Sequence, residues 1–201
     1  MSKGLEVSVL SEGWFAILAR RKRDLMYANS HSKPNRLVAV FGGAFHDRES
    51  PDGIACFEIG KKLAENGYIV INGGNSGIME YSAAGARAGG GTTIGVTCKN
   101  LPEGGSNKFI EHEWALERWD QRLLALVWLS DAYVIMPGSS GTLVELSMVI
   151  ETQNKGFLTE RPVICWKDNW SAVINRIPEA AEIVKYAYTP DDVIKLLKEG
   201  V

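Results

Sequence analysis

The chain reads as an α/β protein, a single Rossmann-like, doubly wound parallel sheet with helices on both faces. Three observations predict this fold. Short, wholly apolar runs such as Leu37–Phe41 and Ala132–Ile135 have the length and continuity of strands buried on both faces. Stretches with apolar residues at helical spacing lie between them, so strands and helices alternate. Three of the strands run straight into glycine-bearing turns, at Gly42-Gly43, Gly73-Gly74 and Gly138. In an open sheet of this kind such turns meet along the carboxyl edge, where ligands bind.

Residues 1–36 read as an N-terminal arm. Trp14, Phe15, Ile17, Leu18, Leu25 and Met26 have rough helical spacing, which predicts a short amphipathic helix against the core or a partner subunit. Asn29 to Asn35 is a polar linker. The nucleotide-binding domain spans 37–201. After the first strand, Ala55, Ile59, Leu63 and Ala64 make a helical stripe stopped by Asn66-Gly67. Tyr68–Asn72 is the second strand, followed by a small-residue helix around Met79 to Ala88 and a third strand over Thr92–Thr97. Lys99 to Lys108 is a loop, and Glu113 to Leu129 reads as one long helix. Ala132–Ile135 enters the third glycine turn, and Leu146, Met148, Val149 and Ile150 read as the helix beyond it. Pro162–Trp166 is another strand, Trp170–Ile177 a helix and Ile183–Ala187 a short last strand. Thr189-Pro190-Asp191-Asp192 is a helix start, with an N-cap threonine, proline at the first position and acids in the first turn.

The chain's 201 residues suit one domain with a full core. A formal net charge of −2 supplies no basic field for nucleic acid. The run Arg20-Arg21-Lys22-Arg23 is first a solvated helix face and only second a nucleic-acid or membrane patch. No apolar run reaches the roughly 20 residues of a membrane span, and Met1–Gly4 does not open a signal-peptide core. Cys56, Cys98 and Cys165 are far apart and odd in number, which predicts buried, reduced thiols in a cytoplasmic protein. His31, His46 and His112 match no metal spacing, so no metal and no cofactor are expected; His46 is the histidine nearest a glycine turn.

The segment Met136 to Glu145 concentrates the chemistry. A strand runs into a turn of glycine and serine that opens a helix, so backbone N–H groups and the positive end of the helix dipole converge where an anion can sit. Gly138 and Gly141 allow close approach of a ligand, and Ser139, Ser140 and Thr142 carry hydroxyls. Glu145 stands one turn further on. A second reading is open at this point: Thr142-x-x-Glu145 is also a capping box that merely satisfies the helix start. The turn is no Walker A loop, and no turn matches G-x-G-x-x-G.

Pro137-Gly138-Ser139-Ser140-Gly141-Thr142-Leu143-Val144-Glu145 resembles the P-G-G-x-G-T-x-x-E signature of the Lonely Guy family, whose relatives also carry the label "lysine decarboxylase-like". Gly73-Gly74-Asn75-Ser76-Gly77-Ile78-Met79-Glu80 resembles that family's G-G-G-x-G-x-M-E loop, and Gly89-Gly90 and Ile94-Gly95-Val96 fall where it has a glycine pair and I-G-V. The resemblance covers roughly residues 37–166. It implies a nucleoside 5′-monophosphate phosphoribohydrolase, which cleaves an AMP-like nucleotide to free base and ribose 5-phosphate. It further implies Glu145 as catalytic acid and Arg122 as the arginine of an R-K-x-x-M element on the preceding helix. Arg122 would hold the phosphate or orient Glu145 by a bidentate pair; otherwise it is a surface helix charge near Glu117 and Arg118. Gly42, Gly43 and Gly74 would let the nucleotide lie across the sheet edge. Glu80 would contact a ribose hydroxyl or serve only as a dipole-favoured acid.

Two departures bear on activity. Ser139 replaces the signature's second glycine, at a cost of something like 1 kcal/mol if that backbone needs φ > 0. Leu123 replaces the lysine after the arginine, and Leu126 the methionine. They favour the alternative, a non-catalytic nucleotide sensor or a carrier like the molybdenum-cofactor carriers that share the architecture. No lysine stands out for pyridoxal phosphate. The resemblance implies a homodimer or higher homo-oligomer. Trp114, Leu116, Trp119, Leu123 and Leu126 on the expected long helix would give it apolar surface to bury. Trp119 is a minor candidate for stacking on a base.

Overall fold

In the computed structural model the described residues are 7–28, 36–44, 47–101 and 105–200. The polar linker over 29–35 with His31, the rim residue His46, and Pro102 and Gly104 of the expected loop lie outside them.

The elements in chain order are α1 (Val7–Ala28), β1 (Leu37–Phe41), α2 (Pro51–Glu65), β2 (Ile69–Asn72), α3 (Ile78–Ala88), β3 (Thr93–Cys98), β4 (His112–Leu116), α4 (Trp119–Leu129), β5 (Ala132–Ile135), α5 (Ser140–Asn154), β6 (Val163–Trp166), α6 (Ser171–Ile174), α7 (Ala180–Ile183), β7 (Val184–Ala187) and α8 (Pro190–Glu199). The seven strands form one sheet in the order β4-β3-β2-β1-β5-β6-β7, and every pairing is parallel. The chain walks outward from β1 to β4, then returns to lay β5 on the other side of β1. That reversal is the switch point of a doubly wound sheet, and it opens a crevice beyond β1 and β5.

Side chains alternate across the sheet into two cores. Leu37, Ala39, Phe41, Ile71 and Val96 face α1, α4 and α5. Val38, Val40, Val70, Val134 and Met136 face α2, α3 and α8. The central strands are buried on both faces, which is why they read as continuous apolar runs. Local signals set the helix starts. The Ser50 hydroxyl accepts from Gly53 N at 3.1 Å with Pro51 following, so α2 begins earlier than its apolar stripe suggests. Thr189 is the expected N-cap of α8, and Asp192 makes the cap reciprocal. The three cysteines are buried and free.

One expected element is wrong. Residues 113–129 are not one helix: His112–Leu116 is the edge strand β4, and only Trp119–Leu129 is helical. Trp114 and Leu116 turn inward while Glu113 and Ala115 face out, the period-two pattern of a strand with one wet face. Pairing with β3 holds it, reinforced by the Thr97 hydroxyl donating to Glu113 at 2.7 Å. The correction removes the apolar surface that the long helix was to offer a partner. Trp114, Leu116, Leu123 and Leu126 all lie in the chain's own core; Trp119 alone of that set is exposed, at 46%. The helix expected over 170–177 is shorter, and the unforeseen α7 leads into β7.

The arm is a 22-residue helix docked on the core. Leu18 is buried, with Trp14, Phe15, Leu25 and Met26 packed beside it. Lys22 is no solvated charge. Its Nζ donates to Leu129 O and to Asp131 Oδ1, both at 2.7 Å, so it caps the negative end of α4. Asp131 in turn accepts from Leu37 N at 2.8 Å, tying α1 and α4 to the first residue of β1. Arg20, Arg21 and Arg23 remain exposed. No helix among the described residues is long and apolar enough to cross a membrane.

Truncating Leu18 to alanine should therefore destabilise the whole domain by about 2–4 kcal/mol in urea unfolding, with a single transition. Ile17→Ala, at a position 45% exposed, should cost under about 1 kcal/mol. Equal small effects for both would make α1 a detachable arm.

Candidate active site

Three turns leave the carboxyl ends of β1, β2 and β5, and backbone hydrogen bonds lace them together. Gly43 N donates to Pro137 O at 3.0 Å, and Ile78 N donates to Gly43 O at 3.0 Å. Ser76 Oγ donates to Ala44 O at 3.0 Å. Gly42, Gly43, Gly73 to Gly77 and Pro137 to Thr142 are thus brought to one edge. Glu80 stands in the first turn of α3, half-buried and with no ion pair to Arg122. Gly74 and Gly77 have φ of +76° and +63°, conformations that L side chains rarely adopt.

Asn72 braces this edge from below. Fully buried at the end of β2, it donates to Met79 O at 2.8 Å and Ser82 Oγ at 3.1 Å and accepts from Gly74 N at 2.8 Å. One side chain thereby sets both the turn and the start of α3. In the sequence it marks only the end of a strand, although a polar residue closing an apolar run is a visible signal. Asn107 holds the same turn from outside, through bonds to Gly74 O and Asn75 O. A lone asparagine in a loop gave no such signal.

The turn at Pro137–Thr142 differs from expectation in two ways. Ser139 has φ −113° and ψ −155°, an extended backbone that any residue adopts, so the anticipated strain cost of a serine there is absent. Ser139 is itself the N-cap and α5 begins at Ser140, so Thr142 lies inside the helix and no side chain caps the end. The capping-box reading of Thr142 and Glu145 is therefore overturned, and the first N–H groups of α5 are left without a side-chain partner. Gly138 to Gly141 are exposed. A Cβ on Gly138 would come within 2.1 Å of Thr142 Oγ1, whereas one on Gly141 would meet nothing within 4 Å. The first glycine lets the turn close on itself; the second leaves open space above the helix end.

Arg122 and Glu145 complete the edge. Arg122 is no surface charge: it is 9% exposed, with Nε donating to Val96 O at 2.9 Å and Nη2 to Gly73 O at 3.0 Å. Its Nη1 takes no acceptor among the described residues. A Cβ on Gly73 would fall 1.6 Å from Nη2, so that glycine makes room for the guanidinium. Burial lowers the Arg122 pKa, opposed by the Glu145 charge. Glu145 is half-buried on α5, with no hydrogen bond or ion pair among the described residues. The expected bidentate pair with Arg122 is not formed, because the arginine spends two nitrogens on carbonyls. Burial pushes the Glu145 carboxyl up to about 7, with the Arg122 charge holding it back. The edge therefore offers open N–H groups, a buried cation and a carboxylate that changes charge near neutrality.

The remaining candidates do not converge here. Leu123 is buried in the core cluster. His112 lies on the edge strand β4, and Trp119 is open to solvent at the start of α4. Among the described residues no group of His, Cys, Asp or Glu could hold a metal ion.

The sequence profile of the SLOG cluster4 family matches residues 35–194. The probable cytokinin riboside 5′-monophosphate phosphoribohydrolase LOGL2 of Oryza sativa subsp. japonica is 31% identical over 178 residues, 82% of this chain and 72% of its own. The cytokinin riboside 5′-monophosphate phosphoribohydrolase LOG3 of Arabidopsis thaliana is 28% identical over 82% of each chain. Among solved structures, the molybdenum cofactor binding protein from the phototrophic bacterium Rippkaea orientalis matches with a TM-score of 0.70 at 23% identity, covering 84% of this chain and 98% of that one. The last likeness is one of fold.

The Glu145 carboxyl has a consequence for stability. Its folded pKa lies above the ordinary value of 4.5, so it weakens the fold once ionised. Below pH 4.5 it is protonated in both states and costs nothing. Stability is lost as pH rises from there through 7, by about 2 kcal/mol after allowance for its partial exposure. Glu145→Gln should raise the unfolding free energy by about 1–2 kcal/mol at pH 8 and leave it unchanged at pH 4.5. Equal effects in urea unfolding at the two pH values would contradict the shift.

Proposed function

The chain belongs to the SLOG cluster4 family, of Lonely Guy type, and we propose that it is a nucleoside 5′-monophosphate phosphoribohydrolase. The observation that carries this reading is Glu145: an unpaired carboxylate, poised near neutrality beside a buried cation and one to two turns from an uncapped helix end. Carboxyls shifted in this way concentrate at functional sites.

In this reading the 5′-phosphate sits on the N–H groups of Ser140, Gly141 and Thr142, with the Ser139 and Ser140 hydroxyls beside it. Gly42, Gly43, Gly73, Gly74 and Gly77 let the nucleoside lie close over the backbone, flanked by Asn75, Ser76 and Pro137. Glu80 takes a ribose hydroxyl. Five residues at about 1.5 Å each set Glu145 about 7.5 Å along the helix from Ser140, a span suited to the anomeric carbon of a ribose whose phosphate is anchored at the turn. The bond from C1′ to the base nitrogen breaks through an oxocarbenium-like ribose. The Glu145 carboxylate stabilises that charge and takes a proton from the attacking water, whose oxygen bonds to C1′. The base leaves with the glycosidic electron pair and receives the proton that Glu145 took from the water, which returns Glu145 to its carboxylate. Arg122 acts as a fixed charge rather than a clamp. It keeps Glu145 from rising further, and Nη1 is left for the ligand.

A non-catalytic binder on the same fold, for a nucleotide or a molybdenum cofactor, is the second reading. Of its two supports, Ser139 is lost because its backbone is unstrained, and Leu123 remains as a missing cation. The resemblance also carries a homodimer into the proposal, and Trp119 and Val144 are among the exposed apolar residues that could serve it.

Incubating the purified chain with AMP should release adenine and ribose 5-phosphate in equal amounts, and Glu145→Gln should slow release by about 10²–10⁴-fold. Tight AMP binding with no adenine released would select the binder. Light scattering of the same sample should give twice the chain mass; a monomer removes the dimer from the proposal.

A further inference from the structure

The loop after β2 presents three consecutive carbonyls, and each is committed. Gly73 O receives Arg122 Nη2. Gly74 O receives Asn107 N at 2.7 Å and Asn107 Nδ2 at 3.0 Å. Asn75 O receives the same Nδ2 at 2.8 Å. Asn107 lies in the connection from β3 to β4, where its Oδ1 accepts from Phe109 N at 3.1 Å and fixes its own segment. The two peptide units beyond Gly73 are thus clamped by one residue, through its backbone N–H and its side chain. Asn72 Oδ1 holds Gly74 N, the N–H of the peptide that carries Gly73 O, and Asn107 fixes the two peptides that follow, so the two asparagines together set the direction of the Gly73 carbonyl and the seat of the guanidinium.

The charges around this pair are few. Arg122 is the charged group that acts on Glu145, and Glu145 is the charged group that acts on Arg122. The Val96 and Gly73 carbonyls hold the guanidinium in its seat. A direct ion pair would lower a carboxylate pKa by about 1–3 units and hold it ionised, which spoils a group that must take up a proton near neutrality.

We propose that Asn107 is a positioning residue for Arg122 and Glu145: its grip on the Gly74 and Asn75 carbonyls keeps Gly73 O where it detains the guanidinium away from the carboxylate. The inference rests on the reading of Glu145 as the group that takes up a proton. Without the Asn107 side chain Asn75 O loses its donor and Gly74 O keeps only the backbone bond from Asn107 N, so the loop loosens and Arg122 moves onto Glu145.

The test titrates the Glu145 carboxyl by ¹³C NMR in the full chain labelled at glutamate, with the signal assigned by its loss in Glu145→Gln. It compares the wild type with Asn107→Ala, Asn107→Leu, Asn107→Ser and Gly73→Ala. The last drives Arg122 from its seat by a direct clash and leaves Asn107 untouched. Thermal unfolding establishes that each variant is folded. The Glu145 midpoint should fall by about 1–3 units in Asn107→Ala, Asn107→Leu and Gly73→Ala, and less in Asn107→Ser, which keeps one donor. The acid limb of the pH profile for AMP hydrolysis should move down with it. Folded Asn107 variants with the wild-type midpoint overturn the proposal. So does failure of all three to fold while Gly73→Ala folds, which makes Asn107 a purely structural residue. A wild type that releases no adenine but shows the shifted midpoints in the variants defeats the hydrolase reading and leaves the clamp standing.

Discussion

A buried guanidinium governs the carboxyl edge of this protein. Taking a cation out of water costs several kcal/mol unless its donors are met, and Arg122 meets that cost with two backbone carbonyls rather than a carboxylate. One carbonyl comes from Val96 on β3 and the other from Gly73 beyond β2, so the arginine bridges neighbouring strand ends. Much else follows from that placement. Residue 73 must lack a Cβ, the loop after it must hold its shape, and Asn72 and Asn107 supply the bonds that hold it. Glu145, left unpaired, feels the cation from a distance and stays protonatable near pH 7.

The same arrangement reconciles stability with chemistry. Paired with Arg122, Glu145 would stabilise the fold but stay ionised over the physiological range. Held apart from it, Glu145 weakens the fold above neutrality and gains the ability to exchange a proton there. The open end of α5 follows the same logic. A threonine in the right place for a capping box is drawn one turn into the helix, over Gly138, and the N–H groups it could have satisfied stay free for an anion.

The sheet and the meeting of its three glycine turns were legible in the sequence, because continuous apolar runs and turn glycines are local signals. The edge strand β4 was not. Trp114 and Leu116 alternate over too few residues to compete with the strong helical stripe that follows at Trp119, Leu123 and Leu126, and only pairing with β3 decides the matter. Arg122 and Glu145 were legible through the motifs around them, but their separation was not, since it depends on carbonyls from distant strands. Asn107 carries no local pattern at all; its role exists only once the loop after β2 lies against it. Ser139 shows the reverse case. The sequence raised a concern about backbone strain that the extended conformation removes.

The central claim is that the helix end at Ser140–Thr142 anchors a phosphate while residue 145 faces the anomeric carbon. A crystal of Glu145→Gln soaked with AMP tests it most directly. Phosphate oxygens are expected on the N–H groups of Ser140, Gly141 and Thr142, with the residue 145 amide against C1′ and Arg122 still seated on Gly73 O and Val96 O. A nucleotide bound with its phosphate elsewhere, or with C1′ turned away from residue 145, would contradict it.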